Sequence, residues 1–395
     1  MKKVSRFLLV FIVAAMVLGV NWAVQQPQVQ RAFVEPALKS ALQVKQTGEL
    51  AVIVRAQDSS TARAAVKRSG GRVVSDLWLI QAVSARLDSA SLSRLVTDPR
   101  VLAVMSNRAV TSSSQNLLEA TGEVVDNVGA NLVHQMRTPT GEPITGAGVT
   151  VAVVDSGVYF DSDIKRILDK EIKQLFIGQA DFTNDGQCLD KGEQWENYCW
   201  YKIDESRDKY GHGSHVAGII WNNLRDPLTK NSMGVAPGAN ILSVRVLGPD
   251  GHGTYEDVIE GIQYVVANKE ALNIKVLNLS LSAPAAAPYF VDPLNRAVES
   301  AWEAGIVVLA AAGNSGPGAS SITVPGNDPY IITVGALKAA PGPDGRSVYS
   351  IPEWSASGPT LDGFIKPDVV APGVNVVSFM YNDPKDGLDG ENTAM

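Results

Sequence analysis

The sequence predicts an α/β protein, a doubly wound and mostly parallel sheet flanked by helices, preceded by a small α+β unit of split βαβ type. Three observations carry this expectation. From Gly148 onward, short β-branched runs bounded by Gly, Pro or Asp alternate with stretches of helical spacing, as a parallel sheet covered on both faces requires. Before residue 110, strand, helix, strand, strand, helix and strand patterns follow one another. A chain of 395 residues, 45% hydrophobic and 19% charged, has material for two or three domains and a large core.

At the amino terminus, Lys2, Lys3 and Arg6 precede an apolar run from Phe7 to Val20, the pattern of an export signal. That run is shorter than the roughly 20 apolar residues a spanning helix needs. Residues 1–23 are therefore read as a signal peptide of a secreted or cell-surface protein, with a membrane partner only if the segment stays uncleaved. Residues 24–47, Gln-rich with Pro27 and Pro36, read as a linker. In the unit 48–108, strands are expected at Glu49–Arg55, Arg72–Ser75, Ile80–Ala85 and Val101–Met105, and helices at Ser60–Arg68 and Ser89–Thr97. Trp78 falls in a turn, and residues 109–128 read as a second linker.

The larger domain, 129–395, has strand patterns at Val149–Val154, Ile241–Leu247, Ile274–Leu279, Ile306–Ala310 and Tyr330–Val334. Helical spacing occupies His215–Asn222, Thr254–Ala267 and Asp292–Glu303, with Thr254 placed to cap its helix. Charge divides the chain the same way. Residues 1–115 hold 15 Lys/Arg and 6 Asp/Glu, net +9, and the remainder 19 and 35, net −16. Opposite signs favour attraction between the two parts, and an acidic main domain argues against a nucleic-acid partner. Two cysteines exclude a disulfide framework and a four-thiolate zinc site.

Three motifs carry chemistry. Asp155 ends the first strand of the large domain, at the carboxyl edge where parallel sheets bind ligands, and a buried carboxylate there needs a donor such as an imidazole N–H. His212 lies in Tyr210-Gly211-His212-Gly213-Ser214-His215, where flanking glycines permit close backbone approach at a helix start. His215 makes a His-x-x-His spacing with it, but no third histidine completes a closed metal site. Asn314, in Ala310-Ala311-Ala312-Gly313-Asn314-Ser315, offers a carboxamide N–H toward developing negative charge. Taken singly, Asp155 also reads as a cap of the following turn and Asn314 as part of a plain turn.

In order along the chain, TGAGVTVAVVDSGV (145–158), DKYGHGSHVAGII (208–220), GVAPGANILSVRVLGPDGHGTYEDVIEGI (234–262), NLSLS (278–282), AAAGNSGP (310–317) and IKPDVVAPG (365–373) resemble the subtilisin-like serine peptidases. The resemblance covers 129–395. It implies Asp155 as the group that orients the imidazole, His212 as general base and Asn314 as an oxyanion donor, with no cofactor required for the chemistry. It further implies that Gly251, His252 and Gly253 face Ser280, Leu281 and Ser282 across an extended peptide. Ala312 and Gly313 would then line the primary pocket, with Thr323 near its rim. Residues 48–108 resemble the family's inhibitory prosegment, an intramolecular partner beside protein or peptide substrates, and self-processing is expected near 106–128.

Two departures stand out. The family places Gly-Thr-Ser-Met-Ala after the 365–373 motif, whereas this sequence reads Asn392-Thr393-Ala394-Met395. Either Ala394 stands at the nucleophile's position or the serine lies beyond residue 395, and on both readings this polypeptide is expected not to cleave. The span from Tyr159 to Arg207 is long for the family and is read as a surface insertion pinned by one Cys188–Cys199 bridge. Its Asp181, Asp185, Asp190 and Asp204 admit a structural calcium or a plain acidic loop. The alternative function is a peptide-binding pseudoprotease. A nucleotide-binding domain is disfavoured, because no G-x-G-x-x-G or P-loop follows the first strand.

Overall fold

The structure, a computed structural model, describes residues 32–43, 48–113, 124–159, 175–183, 188, 193–194, 198–202, 206–222, 231–341 and 347–378. The signal segment 1–23, Asp185, Asp190, Asp204 and the motif 392–395 lie outside them.

The amino-terminal unit contains β1 (Phe33–Val34), α1 (Pro36–Gln43), β2 (Leu50–Ala56), α2 (Ser59–Ser69), β3 (Arg72–Leu77), β4 (Ala82–Leu87), α3 (Ser89–Leu95) and β5 (Val101–Ser106). Its sheet runs β1-β5-β2-β4-β3, antiparallel except for the β1–β5 pair. Residues 24–47 are thus more than a linker. Phe33 and Val34 pair with Ala103 and Val104, and Leu38 and Ala41 of α1 are buried. A two-residue strand and one amphipathic turn pair are too short to leave a periodic signal in so polar a segment. Asp58 and Asp88 cap α2 and α3, accepting from Thr61 N and Ser91 N at 2.7 Å each. Strand alternation sends β2 to two cores. Val52 and Val54 pack with Val66, Leu92 and Leu95 inside the unit, while Ile53 points the other way, with Leu77, Ile80 and Ala82, into the core of the large domain.

The chain then forms β6 (Ala109–Ser112), α4 (Val124–Asn127) and α5 (Ala130–Gln135). The large domain comprises β7 (Thr150–Asp155), β8 (Phe176–Asp181), β9 (Glu193–Gln194), β10 (Cys199–Tyr201), α6 (His212–Trp221), β11 (Asn240–Arg245), β12 (His252–Thr254), α7 (Tyr255–Asn268), β13 (Ile274–Leu279), β14 (Leu281–Ser282), α8 (Pro293–Glu303), β15 (Val307–Ala311), β16 (Ile332–Pro341), β17 (Ser347–Ser350) and β18 (Val369–Pro372).

The main sheet runs β17-β16-β15-β13-β7-β11-β8-β10-β9, with β18 also on β16. From β16 to β8 it is parallel, and antiparallel strands close both ends. Central β7 is buried throughout. Its Val151 and Val153 pack under α6 with Ala217 and Trp221, whereas Ala152 and Val154 pack under α7 with Ile259 and Ile262. Helices therefore cover both faces. The span 159–207 is not only a surface insertion, because β8 within it pairs with β11 in the main sheet. Gly178 and Gln179 break its apolar run, so sequence pattern alone understates it.

Candidate active site

β7 delivers Asp155 to the carboxyl edge of the sheet, and the chain leaves through a close backbone packing. Gly157 has φ +116°, and a Cβ on it would lie 2.0 Å from the Arg207 carbonyl oxygen. A Cβ on Gly213, in the first turn of α6, would lie 2.1 Å from the Gly157 oxygen. Only glycine fits at both places, which lets α6 begin directly against the turn after β7. Buried Asp208 fixes that helix start, accepting from Gly211 N (2.8 Å), Ser214 N (2.8 Å) and Ser214 Oγ (2.7 Å). The Ser156 hydroxyl oxygen accepts from Gly213 N at 2.9 Å. His212 is thereby held with Nδ1 2.7 Å from Asp155 Oδ1, and both side chains are buried.

Burial works against an imidazolium at His212, yet the charge and hydrogen bond of Asp155, helped by Asp208, outweigh it and leave His212 above the usual imidazole range. His215 differs. Burial pushes it below that range, and its Nε2 lies 2.9 Å from the Val376 carbonyl oxygen. Its ring is thus committed to the chain near β18 and not to a shared ion with His212. Among the described residues no group of three His, Cys, Asp or Glu side chains is placed to hold a metal ion.

Asn314 comes to the same edge by register. Leu279 of β13 stands opposite Val154 of β7 on one side and Ala310 of β15 on the other. Neighbouring strands lie about 4.8 Å apart, so Asp155, Ser280 and the Ala311–Asn314 turn all emerge together. Asn314 is partly buried there, and Ala312 and Gly313 are buried. Gly313 has φ +101°, and a Cβ on it would lie 2.3 Å from Thr323 Oγ1. Thr323 packs directly against this turn. It is buried and donates from N (3.0 Å) and Oγ1 (3.1 Å) to the Ala312 oxygen.

Beside this edge lies an occupied groove. β6 runs antiparallel between β12 and β14, with Val110 opposite Gly253 and Thr111 opposite both His252 and Ser282. Ser112 N donates to Gly251 O (3.1 Å) and Ser113 N to Ser280 O (2.9 Å). Residues 109–112 are therefore not linker. They are the central strand of a three-stranded sheet whose outer strands are the 251–253 and 280–282 segments. Four residues with no apolar alternation gave no local sign of it, and the partners sit 140 and more positions away in sequence.

Cys188 and Cys199 form a disulfide, with Cα atoms 5.4 Å apart and Cys199 buried in β10. Asp181, named above among the carboxylates that admit calcium, has Oδ2 on Arg245 Nη1 at 2.8 Å and Oδ1 on Thr183 N and Oγ1 at 3.0 and 2.8 Å. His134 is held to the Val235 carbonyl oxygen at 2.9 Å.

The chain belongs to the subtilase family: residues 146–393 match that family (Peptidase_S8). It is 35% identical over 311 residues to the serine protease AprX of Bacillus subtilis (strain 168), an alignment covering 76% of this chain and 60% of that relative. Subtilisin J of Geobacillus stearothermophilus is 28% identical over 366 residues, covering 91% of this chain and 80% of the relative. Among solved structures, the chain is similar to fervidolysin from Fervidobacterium pennivorans, described as a keratinolytic enzyme related to subtilisin. The TM-score is 0.62 at 20% identity, over 92% of this chain and 53% of that one, a likeness of fold. The chain thus spans about three fifths of AprX and half of fervidolysin.

Proposed function

We propose that this chain belongs to a secreted serine endopeptidase zymogen that hydrolyses peptide bonds by Ser-His-Asp acyl transfer. One observation carries the reading: a buried Asp155–His212 pair stands at the end of a groove in which β6 already lies as an extended peptide. In this reading Asp155 accepts the Nδ1 proton, so that His212 Nε2 is free to take a proton from the attacking hydroxyl and return it to the leaving amine. Asn314 donates its carboxamide N–H to the developing oxyanion, a contribution of roughly 3–4 kcal/mol to the transition state. The main chains of 251–253 and 280–282 hold substrate as an added strand. Residues 32–108 act as an inhibitory partner whose following strand fills the same groove, and residues 1–23 direct export.

The nucleophile falls to the segment around residue 394. With a serine supplied there or further along the parent chain, the protein cleaves itself and then substrates. With Ala394 in that position, the same groove binds peptides without cleaving them, a reading favoured by the Thr393-Ala394-Met395 match. The test is hydrolysis of a chromogenic peptide, together with release of the amino-terminal segment, in the complete parent and in His212→Ala. The variant is expected to lose both by at least about a thousandfold. Processing at an unchanged rate in His212→Ala would overturn the assignment.

A further inference from the structure

The residue just before β6 occupies a pocket that the acid–imidazole site does not use. Arg108 accepts from Tyr255 N through its carbonyl oxygen at 2.9 Å, so the backbone alignment of β6 extends to it. Its side chain turns into the large domain. Nη1 donates to the Pro284 carbonyl oxygen (2.6 Å), and Nη2 donates to Tyr255 Oη (2.7 Å) and pairs with Asp292. The guanidinium carbon lies 4.6 Å from the centre of the Tyr255 ring. Tyr255 Oη in turn donates to Asp292 Oδ2 at 3.2 Å.

These partners all belong to the large domain, and among the described residues the amino-terminal unit adds Glu35, 3.8 Å from Nε. Asp292 is fully buried, with its Oδ1 engaged by Leu294 N and Asn295 N at the start of α8. Its Oδ2 has an inward cation and a phenol as its partners. Removing the cation leaves a buried carboxylate without its counter-charge, which is costly where water does not reach. The fork of donors, the carbonyl and the aromatic face suit a planar guanidinium better than an ammonium.

Strand periodicity puts Arg108, Val110 and Ser112 on one face. Val110 is fully buried in the core of the large domain, and the Ser112 hydroxyl donates to Tyr210 Oη at 3.0 Å. We propose that Asp292, Tyr255 and the Pro284 carbonyl form an arginine-selective subsite for peptides lying in the groove, two residues before the side chain that fills the Val110 position. The inference rests on reading the groove as a peptide site. It adds the substrate class: extended peptides with Arg two positions ahead of a buried aliphatic residue.

Two measurements on the full chain test it. In the first, hydrogen exchange at the amides of 110–113 is compared among wild type, Arg108→Lys, Arg108→Gln and Asp292→Asn, the last keeping the helix cap. Arg108→Gln and Asp292→Asn are each expected to lose at least about tenfold in protection, with Arg108→Lys between them and wild type. In the second, the full chain carrying Arg108→Gln is titrated with fluorescent peptides of the 104–113 sequence bearing Arg or the neutral isostere citrulline at position 108. The arginine peptide should bind at least about tenfold more tightly, and adding Asp292→Asn should bring the ratio to near one. Unchanged protection in Arg108→Gln, equal binding of the two peptides, or no binding of either overturns the proposal. Both readouts are independent of hydrolysis. Failure to cleave in the complete parent would overturn the peptidase reading and leave this ratio untouched.

Discussion

At the residue scale, the decisive contact is His212 Nδ1 on Asp155 Oδ1 at 2.7 Å. Because the net effect of its surroundings raises His212, the imidazolium persists to higher pH than in a free side chain. A general base works only when neutral, so in a complete parent that cleaves as proposed, activity is expected to fall as pH drops through that raised value. Asp155→Asn should remove the rise, move the acid limb of the kcat/KM profile to lower pH, and cut kcat by about ten-thousandfold through the wrong tautomer. An unmoved acid limb would mean that another group controls it. A second titration belongs to Asp328, which is buried beside α8 and accepts from Asn295 Nδ2 (3.2 Å) and Tyr330 N (2.9 Å). Burial pushes its carboxyl up to about 7. The folded protein then binds a proton that the unfolded chain, titrating near the ordinary carboxylate value of about 4, has lost. Stability should therefore decline as pH rises from about 4 to 7, and Asp328→Asn should flatten that slope in denaturant titrations taken across the window.

At the element scale, α7 supports both the groove and the interface with the amino-terminal unit. Thr254 caps it, its Oγ1 accepting from Asp257 N (3.4 Å) while Asp257 Oδ2 accepts from Thr254 N (2.8 Å). Thr254→Ala should cost about 1 kcal/mol in chemical denaturation. A cost near zero would show that packing of Val258, Ile259 and Ile262 alone holds the helix. The Thr254 cap, the strand Ile274–Leu279 and the helix ending at Glu303 were legible from periodicity and cap residues, with bounds as expected or within a residue or two. β8 and β6 were not. β8 is polar in its middle because Gln179 is buried against Ser243 Oγ and Val158 N, and β6 owes its conformation to two strands distant in sequence.

At the scale of the whole molecule, the amino-terminal unit docks across α7 and α8. Ile53, Leu77 and Ile80 enter the large domain's core, and Glu256 accepts from Ser84 Oγ (2.5 Å) and Asn107 Nδ2 (3.0 Å). With the export segment 1–23 and its three cations set aside, residues 24–115 hold 12 Lys/Arg and 6 Asp/Glu, net +6, against −16 in the remainder, and this imbalance acts over a longer range than these contacts. Raising salt from about 0.05 to 0.5 M shortens the Debye length from more than 10 Å to less than 5 Å. Once the junction after β6 is cut, the amino-terminal segment should therefore leave several-fold faster at the higher salt, as followed by the appearance of peptidase activity or by surface plasmon resonance. A release rate indifferent to salt would assign the docking to the apolar contacts alone.

The sequence by itself determined the alternating architecture, the helix caps, the family resemblance and the candidates Asp155, His212 and Asn314, because these depend on local periodicity, capping and short motifs. Tertiary structure alone decided that Asp155 and His212 touch, that His215 turns away to Val376, that β6 fills the groove, and that Arg108 reaches Asp292. Each of these pairs residues 57 to 184 positions apart. Such contacts are fixed by strand order and by the close approach that Gly157 and Gly213 permit, and no local window of sequence records them.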